Sequence, residues 1–436
     1  MATFRYSAVP AGWRPGVVTA PPVAAPPPRD WGRLVLQALP IVSVSFIAKL
    51  SVPPLAAMGL GLDVPIIVAA TLAGLFSGLL QVHRARLLTY LVMLAWLGGS
   101  QLVGGQPFSA LSLVLLATLF LPLTLQLRAP EPAPATTAAG QPVTQALDAL
   151  AGLALFFAAC GVLQFMLQPL LGVALAFPIE HGVPQLFLIQ AFNPLIPLTY
   201  GDATLKANGV FFLEPSFFSQ FVALGLLAEL SMRNRLPRVA LMVAGLAVSY
   251  SGTGLVVAAA GVLGLVAVKG RWDLLLLLAL ALPVLWLLGE ASPLLPLLNR
   301  ASEFQSSHSS GSARFVSWID MLQRQWWPEP SRVLFGAGAG SFAPAAAVAR
   351  QPTAEMSFSK MLFEYGITGA LLFFAFLVYA FNSVRAPLAF RLGLCATLLV
   401  NGALVAFPVG IAASVLLWPP SAAPRRFFHR YRKPAP

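Results

Sequence analysis

The sequence predicts an all-α polytopic membrane protein of about twelve transmembrane helices with one large external loop. Three observations predict it. Of 436 residues, 58% are hydrophobic and 10% charged, against about a quarter charged in soluble domains, and mean hydropathy is +0.80. The apolar residues come in runs long enough, at 1.5 Å per residue, to cross a hydrocarbon core of about 30 Å. Lysines and arginines recur in short clusters between those runs, the pattern that keeps basic loops on the cytoplasmic side. The net charge of +12 is therefore read as topology. It argues against a nucleic-acid partner, which would need the charge on one face.

The elements follow in order. Residues 1–28, rich in Pro, Ala and Val, are expected to form a disordered cytoplasmic tail. The first span follows Arg29-Asp-Trp-Gly-Arg33 and runs to Leu50; the second covers 64–81 and ends at His83-Arg-Ala-Arg86. Spans at 87–104 and 107–127 are joined by the uncharged turn Gly104-Gly-Gln-Pro107, and a Pro/Ala/Thr-rich linker fills 128–145. The fifth apolar stretch, 147–177, exceeds what one upright helix needs, so it should tilt or break near Gln168-Pro169. Residues 178–210 read as an external loop, and the sixth span begins at Glu214-Pro-Ser216 and ends at the basic Arg233-Asn-Arg-Leu-Pro-Arg238. Between that cluster and Lys269-Gly-Arg271 the chain must go out and return, giving two short helices with a small-residue turn at Ser249-Tyr-Ser-Gly-Thr-Gly254. A ninth span at 273–289 leads to the loop.

The chain thus divides into the tail 1–28, a membrane domain of nine spans (29–289), the external loop 290–358, three further spans (359–420) and a basic cytoplasmic tail, 421–436. Nineteen of the 27 Lys and Arg fall in segments assigned to the cytoplasm. Lys49 and Lys206 break the pattern outside the long loop and its edge. The final basic run, Arg425 to Lys433, either fixes topology or holds anionic headgroups at about 1 kcal/mol per residue. Cys160 and Cys395 lie in apolar runs and serve packing.

Polar chemistry is confined to the external side. Glu214 stands at the mouth of the sixth span, where an ionisable group is a functional candidate or a hydrogen-bonding group at a bent helix entrance. The loop carries Arg300, Arg314, Arg324, Arg332 and Arg350 with His308, Trp318, Trp326 and Trp327. Guanidinium groups grip phosphate bidentately and aromatic faces stack on sugars, so the loop suits a diphosphate-linked glycan; an ordinary salt-bridged loop is the alternative. His308 has no second His at ligand spacing and no Asp-x-Asp pair stands outside, so no metal site is expected. Gly336-Ala-Gly-Ala-Gly340 lacks the Lys-Ser/Thr of a nucleotide loop and reads as a flexible turn.

Gly209 to Ser216, the Ser-Gly-Thr-Gly turn, Ser310 to Trp318, Leu334 to Ser341 and Glu364-Tyr-Gly-Ile-Thr-Gly369 stand in a fixed order. Over about 200–380 this order resembles bacterial O-antigen ligases and O-antigen or exopolysaccharide polymerases. The resemblance implies a GT-C-like integral-membrane glycosyltransferase of the bacterial inner membrane, active on the periplasmic side without metal or cofactor. It implies an undecaprenyl-diphosphate-linked glycan donor and a glycan or lipid A-core acceptor, within lipopolysaccharide or exopolysaccharide biosynthesis. Chain-length regulator and flippase proteins would be its partners, alongside membrane lipids. Arg314 matches the family's loop arginine for the diphosphate, and Glu214 becomes the candidate general base. Lys206, in Lys206-Ala-Asn-Gly209, stands where the family carries Arg, keeping the charge and losing the fork. Arg300, Arg324, His308 and Trp318 complete the expected substrate-binding set. The family's ligases place a His before the Glu-x-Gly helix; Ser357-Phe-Ser-Lys-Met-Leu-Phe-Glu364 has none, which favours a polymerase. A lipid-linked glycan transporter or flippase, or a non-catalytic member of a polysaccharide assembly complex, are the rival readings.

Overall fold

The computed structural model describes residues 30–128, 141–198, 202–276 and 310–419. Both expected tails, most of the ninth span, and the candidates Arg300 and His308 lie outside these. The described chain is an all-α, multi-pass membrane protein: it is mostly helical, with a single two-stranded sheet. Among the described residues five helices are long and apolar enough to cross a membrane, and six shorter apolar helices accompany them.

The first helix, α1 (Trp31–Val42), continues as a wider turn over Ser43–Ile47, and a short α2 (Pro53–Ala57) precedes α3 (Asp63–Phe76). Strand β1 (Leu80–Val82) leads into α4 (Arg84–Gly104) and α5 (Ala110–Phe120), and β2 (Leu125–Leu127) pairs antiparallel with β1. Next come α6 (Gln141–Ala176) and the short α7 (Pro178–Gly182). The core trio is α8 (Pro215–Met232), α9 (Leu236–Ser249) and α10 (Gly252–Lys269). In the segment 290–358 α11 (Ser310–Phe315), α12 (Ser317–Gln325), α13 (Pro330–Phe335) and α14 (Phe342–Ala347) follow. The chain returns through α15 (Ser357–Asn382), α16 (Leu388–Val400) and α17 (Ala406–Ile411), the last extended by a wide turn to Leu417.

Helix α8 is the axis. Its spanning window is 94% buried, against 28% for α4 and 33% for α10, so lipid can reach those two but not α8. It packs on α6, α9, α10 and α16. Small residues allow the approach: a Cβ at Gly225 would overlap the Ala154 methyl of α6. Without a hydrophobic drive between helices in lipid, such close backbone contact supplies the dispersion energy that holds them. Aromatic rings fill the spaces around it, with Phe157, Phe212, Phe221 and Phe407 meeting edge-to-face or tilted.

Local breaks fall where the chain permits them. Helix α6 runs through Pro169 and breaks at Gly172 (φ 74°, ψ 169°), three residues beyond the expected Gln168-Pro169 site. Glycine alone takes that conformation freely. The expected turn between the two short helices is Tyr250-Ser251, with Tyr250 left-handed at φ 45°. Helix α10 is long enough to cross unaided, and α9 is among the shorter apolar helices.

The ends of the helices sort into two sets. At one end β1 and β2 close together, Leu127 N–H bonds Trp418 O at 2.8 Å, and Trp418 Nε1 bonds Pro122 O at 2.9 Å. Buried Arg86 donates to Leu125 O at 2.9 Å beside them. The ends of α6 and α8 carry an ion-pair network of Asp148, Glu229, Arg233, Arg235 and Arg238. These are the residues that charge placement assigns to the cytoplasm. The opposite set comprises Lys49, Glu180 and Asn208, the pair Glu214 and Arg314, and Glu355 with Lys360, joined by the bonds described below.

The loop expected outside the membrane is built rather than loose over its described residues. Met321, Leu322, Trp326, Ala337, Phe342 and Ala345 form a small core that sits on Phe363 of α15. Gly336-Ala-Gly-Ala-Gly340 is a turn, but a pinned one. Ala337 and Gly338 donate to Phe363 O and Glu364 O at 2.8 and 3.2 Å, and Ala339 N–H reaches Gln101 Oε1 at 2.7 Å. Opposite it α15 kinks at Gly366 (φ 71°), and a Cβ at either Gly336 or Gly366 would strike the other segment's backbone.

Candidate active site

Glu214 stands at the N-cap of α8, where extended backbone hands over to Pro215 at the first helical position. Proline suits that position because the N–H it lacks would find no partner inside the helix. The carboxylate makes no capping bond to its own helix. Its Oε1 accepts the Asn193 N–H at 3.2 Å; its Oε2 accepts the Ser216 hydroxyl at 2.9 Å and Arg314 Nη2 at 3.3 Å. Arg314, on α11, is held over the helix mouth because Ala354 N–H bonds Ala313 O at 3.0 Å, tying α11 to the chain just before α15. The side chains are 12% and 26% exposed, sheltered yet reachable from one side.

Behind this pair the backbone is strained. Gly209 and Val210 both have positive φ, 64° and 70°, and a β-branched residue there costs about 1–3 kcal/mol. Val210 is clamped from both sides. Its N–H bonds Asn208 Oδ1 at 3.0 Å and Gln164 Oε1 at 3.3 Å, and its carbonyl accepts from Lys49 Nζ. Fully buried Asn208 is the hub. Its amide donates to Glu180 Oε1 at 2.8 Å and Pro194 O at 3.2 Å, while Gln164 Nε2 donates to its Oδ1 at 3.0 Å.

Lys49 and Glu180 form a buried ion pair through Glu180 Oε1. That explains one exception in the charge pattern: a lysine just past the first helix is neutralised by a carboxylate from the end of α6–α7. Glu180 Oε2 is buried and has no hydrogen-bond partner among the described residues. Lys49, Glu180, His181, Gln185, Gln190, Phe192, Asn193 and Leu213 contribute to the wall of a cavity of about 230 Å³. Asn193 and Leu213 also adjoin Glu214, so the cavity and the Glu214–Arg314 pair share a wall.

A second buried cluster lies on α15. Lys360 Nζ pairs with Glu364 Oε1 at 2.9 Å and Glu355 Oε2 at 3.1 Å, and Glu364 Oε1 also accepts Phe342 N–H at 3.1 Å. Glu364 thereby holds the loop core onto the helix. Gln220 of α8 and Asn401 face each other through paired amides, at 2.6 Å for the shorter bond, and Asn401 O accepts from Ser357.

Of the residues singled out from sequence, Glu214 and Arg314 are in contact. Lys206 is buried in the segment leading to α8, with its N–H on Ile196 O at 2.9 Å. Arg324 is exposed and pairs with Asp320 one turn away at 2.8 Å rather than with Glu214. Trp318 packs edge-on against Phe358 with ring centroids 5.4 Å apart, and its buried indole Nε1 has no partner among the described residues. Sequence reasoning missed Glu180, Asn208, Glu355 and Lys360 as site neighbours. The one available signal was Lys49, a cation on the wrong side of the charge pattern. Among the described residues no three His, Cys, Asp or Glu side chains converge as a metal site would require.

The chain matches no protein-family model, and no curated protein matches it significantly. Its chemistry is therefore argued from this geometry: a carboxylate beside an arginine at one end of an apolar bundle, next to a polar cavity. Such a pair can orient a hydroxyl through the carboxylate and neutralise an anionic leaving group through the guanidinium.

Proposed function

We propose that the protein is an inner-membrane glycosyltransferase of GT-C-like architecture with about twelve spans, both termini cytoplasmic and its active site periplasmic. It polymerises undecaprenyl-diphosphate-linked repeat units; ligation to a lipid A-core acceptor is the neighbouring activity. The observation that carries the reading is the Glu214–Arg314 contact, which joins the mouth of the central helix to the loop 100 residues later.

Glu214 accepts the proton of the acceptor hydroxyl as its oxygen attacks the anomeric carbon from the face opposite the diphosphate. The bond from that carbon to the phosphate oxygen breaks with inversion, and undecaprenyl diphosphate leaves. Arg314, released from Glu214 as the donor binds, neutralises the charge growing on the diphosphate oxygens. Lys206 adds positive charge to the same end of the bundle.

Transport is supported less well. Between Gln220 and Glu229, α8 carries Phe-Val-Ala-Leu-Gly-Leu-Leu-Ala, an apolar stretch of roughly 12 Å at 1.5 Å per residue. A transporter needs polar groups near that midplane. The test is a reconstituted assay of purified protein with one undecaprenyl-diphosphate-linked repeat unit, resolved by glycan length. A ladder that disappears in Arg314→Ala supports a polymerase; transfer only to added lipid A-core makes it a ligase. Neither product from folded protein overturns the reading.

A further inference from the structure

The cavity beside Glu214 has a composition of its own. Its buried charges cancel, because Lys49 and Glu180 pair directly. An anion placed there would meet a carboxylate, and a cation would meet an ammonium. What remains on offer is one acceptor and one donor: Glu180 Oε2 has no partner among the described residues, and Lys49 Nζ spends two of its three protons on Glu180 and Val210 O. A hydroxyl group, which both donates and accepts, satisfies the two together. Around them stand Gln185, Gln190, Asn193 and His181, apolar side chains between Leu188 and Leu213, and one aromatic ring, Phe192, held edge-on by Phe217 at 5.5 Å. Neutral polar groups with one ring face suit a sugar, whose hydroxyl rim is polar and whose C–H face is apolar. A volume of about 230 Å³ is far above what one water needs and admits a sugar-sized group.

We propose that this cavity is a carbohydrate subsite that holds the acceptor sugar, with Glu180 and Lys49 gripping one hydroxyl. The inference rests on the transferase reading and adds to it the place and chemistry of the acceptor. The shared wall at Asn193 and Leu213 sets a second hydroxyl of the same sugar within reach of Glu214. Glu180 is then a binding residue and Glu214 the proton acceptor, two carboxylates separated in role by their neighbours.

The test uses the full-length protein in nanodiscs and, as probe, the phosphate-free oligosaccharide released by mild acid from the lipid-linked donor. Wild-type protein should bind it without competition from inorganic pyrophosphate. Glu180→Gln should weaken binding about 10- to 100-fold, the loss expected for one hydrogen bond to a charged group. Because that variant also strips Lys49 of its counterion, Gln190→Trp provides a second arm: the position is exposed on the rim, and the larger side chain fills the cavity without touching the ion pair. It should raise the acceptor KM by a similar factor and leave donor KM unchanged. Transfer with unaltered oligosaccharide affinity in both variants overturns the subsite while leaving the transferase standing. Competition by pyrophosphate overturns it too, by making the cavity an anion site. Binding that both variants abolish, in a protein that transfers nothing, supports the subsite and overturns the transferase.

Discussion

The two ends of the bundle handle buried carboxylates in opposite ways. At the end assigned to the cytoplasm, Glu229 is fully buried and both its oxygens are engaged. Oε1 takes the Arg235 N–H and Nε at 3.0 and 2.8 Å, and Oε2 takes Arg235 Nη2 at 2.8 Å and Arg238 Nη1 at 3.2 Å. At the other end Glu180 and Glu364 are as deeply buried, yet each leaves its Oε2 without a partner among the described residues. A carboxylate with both oxygens engaged spends its electrostatics on holding helices together; one with an unused oxygen keeps capacity for something that arrives. The difference teaches that burial and charge alone do not mark a site. An unused carboxylate oxygen is what separates the two ends here.

Four changes can break or sharpen this contrast. Glu229→Ala should have the largest effect. It leaves Arg238 without its carboxylate and Arg235 with Asp148 alone, and should be seen as loss of detergent-solubilised folded protein, with transfer per surviving molecule unchanged. Arg314→Ala should lower the rate about 10²- to 10³-fold while the thermal midpoint barely moves, because a partly exposed pair contributes little to folding. An equal fall in stability would place Arg314 with the structural set. Gly366→Ala forces a side chain into positive φ and into the Leu334–Phe335 backbone, and should cost about 1–3 kcal/mol. Limited proteolysis of residues 330–345 should register the undocked loop. Arg324→Ala removes an exposed pair one helical turn apart and should change stability by less than about 0.5 kcal/mol and activity not measurably.

Much of the architecture was legible because it is local. Hydropathy gave the runs, basic clusters gave their ends, and Ser249 to Gly254 gave a turn within two residues of its place. The break in α6 fell at Gly172 rather than Pro169, since proline tolerates continuation of a helix that neighbours support whereas a positive φ ends it. The site was less legible. Lys49 and Glu180 stand 131 residues apart, and nothing in either local sequence names the other. Asn208 read as part of a loop motif and proved to be a hub, because three of its four side-chain bonds go to distant segments, at Gln164, Glu180 and Pro194. The glycine-rich turn was readable as a turn only; what pins it is the kink at Gly366, whose positive φ has no signature beyond the glycine itself.

The closing helix has a consequence in time. Ile41 N–H donates to Ser414 Oγ at 3.1 Å and Gln37 Nε2 to Ser414 O at 3.1 Å, contacts 373 and 377 residues apart. Residues 406–419 are buried throughout, against the first helix and the strand pair. While the chain is being made, the first helix must wait in the membrane with those partners not yet synthesised. Residues 406–419 therefore complete the packing of the first helix, and a contact of that sequence separation carries the loop-closure cost of long-range pairing. A ribosome halted before residue 406 should leave the first helix without its cover, recognisable by its protease sensitivity.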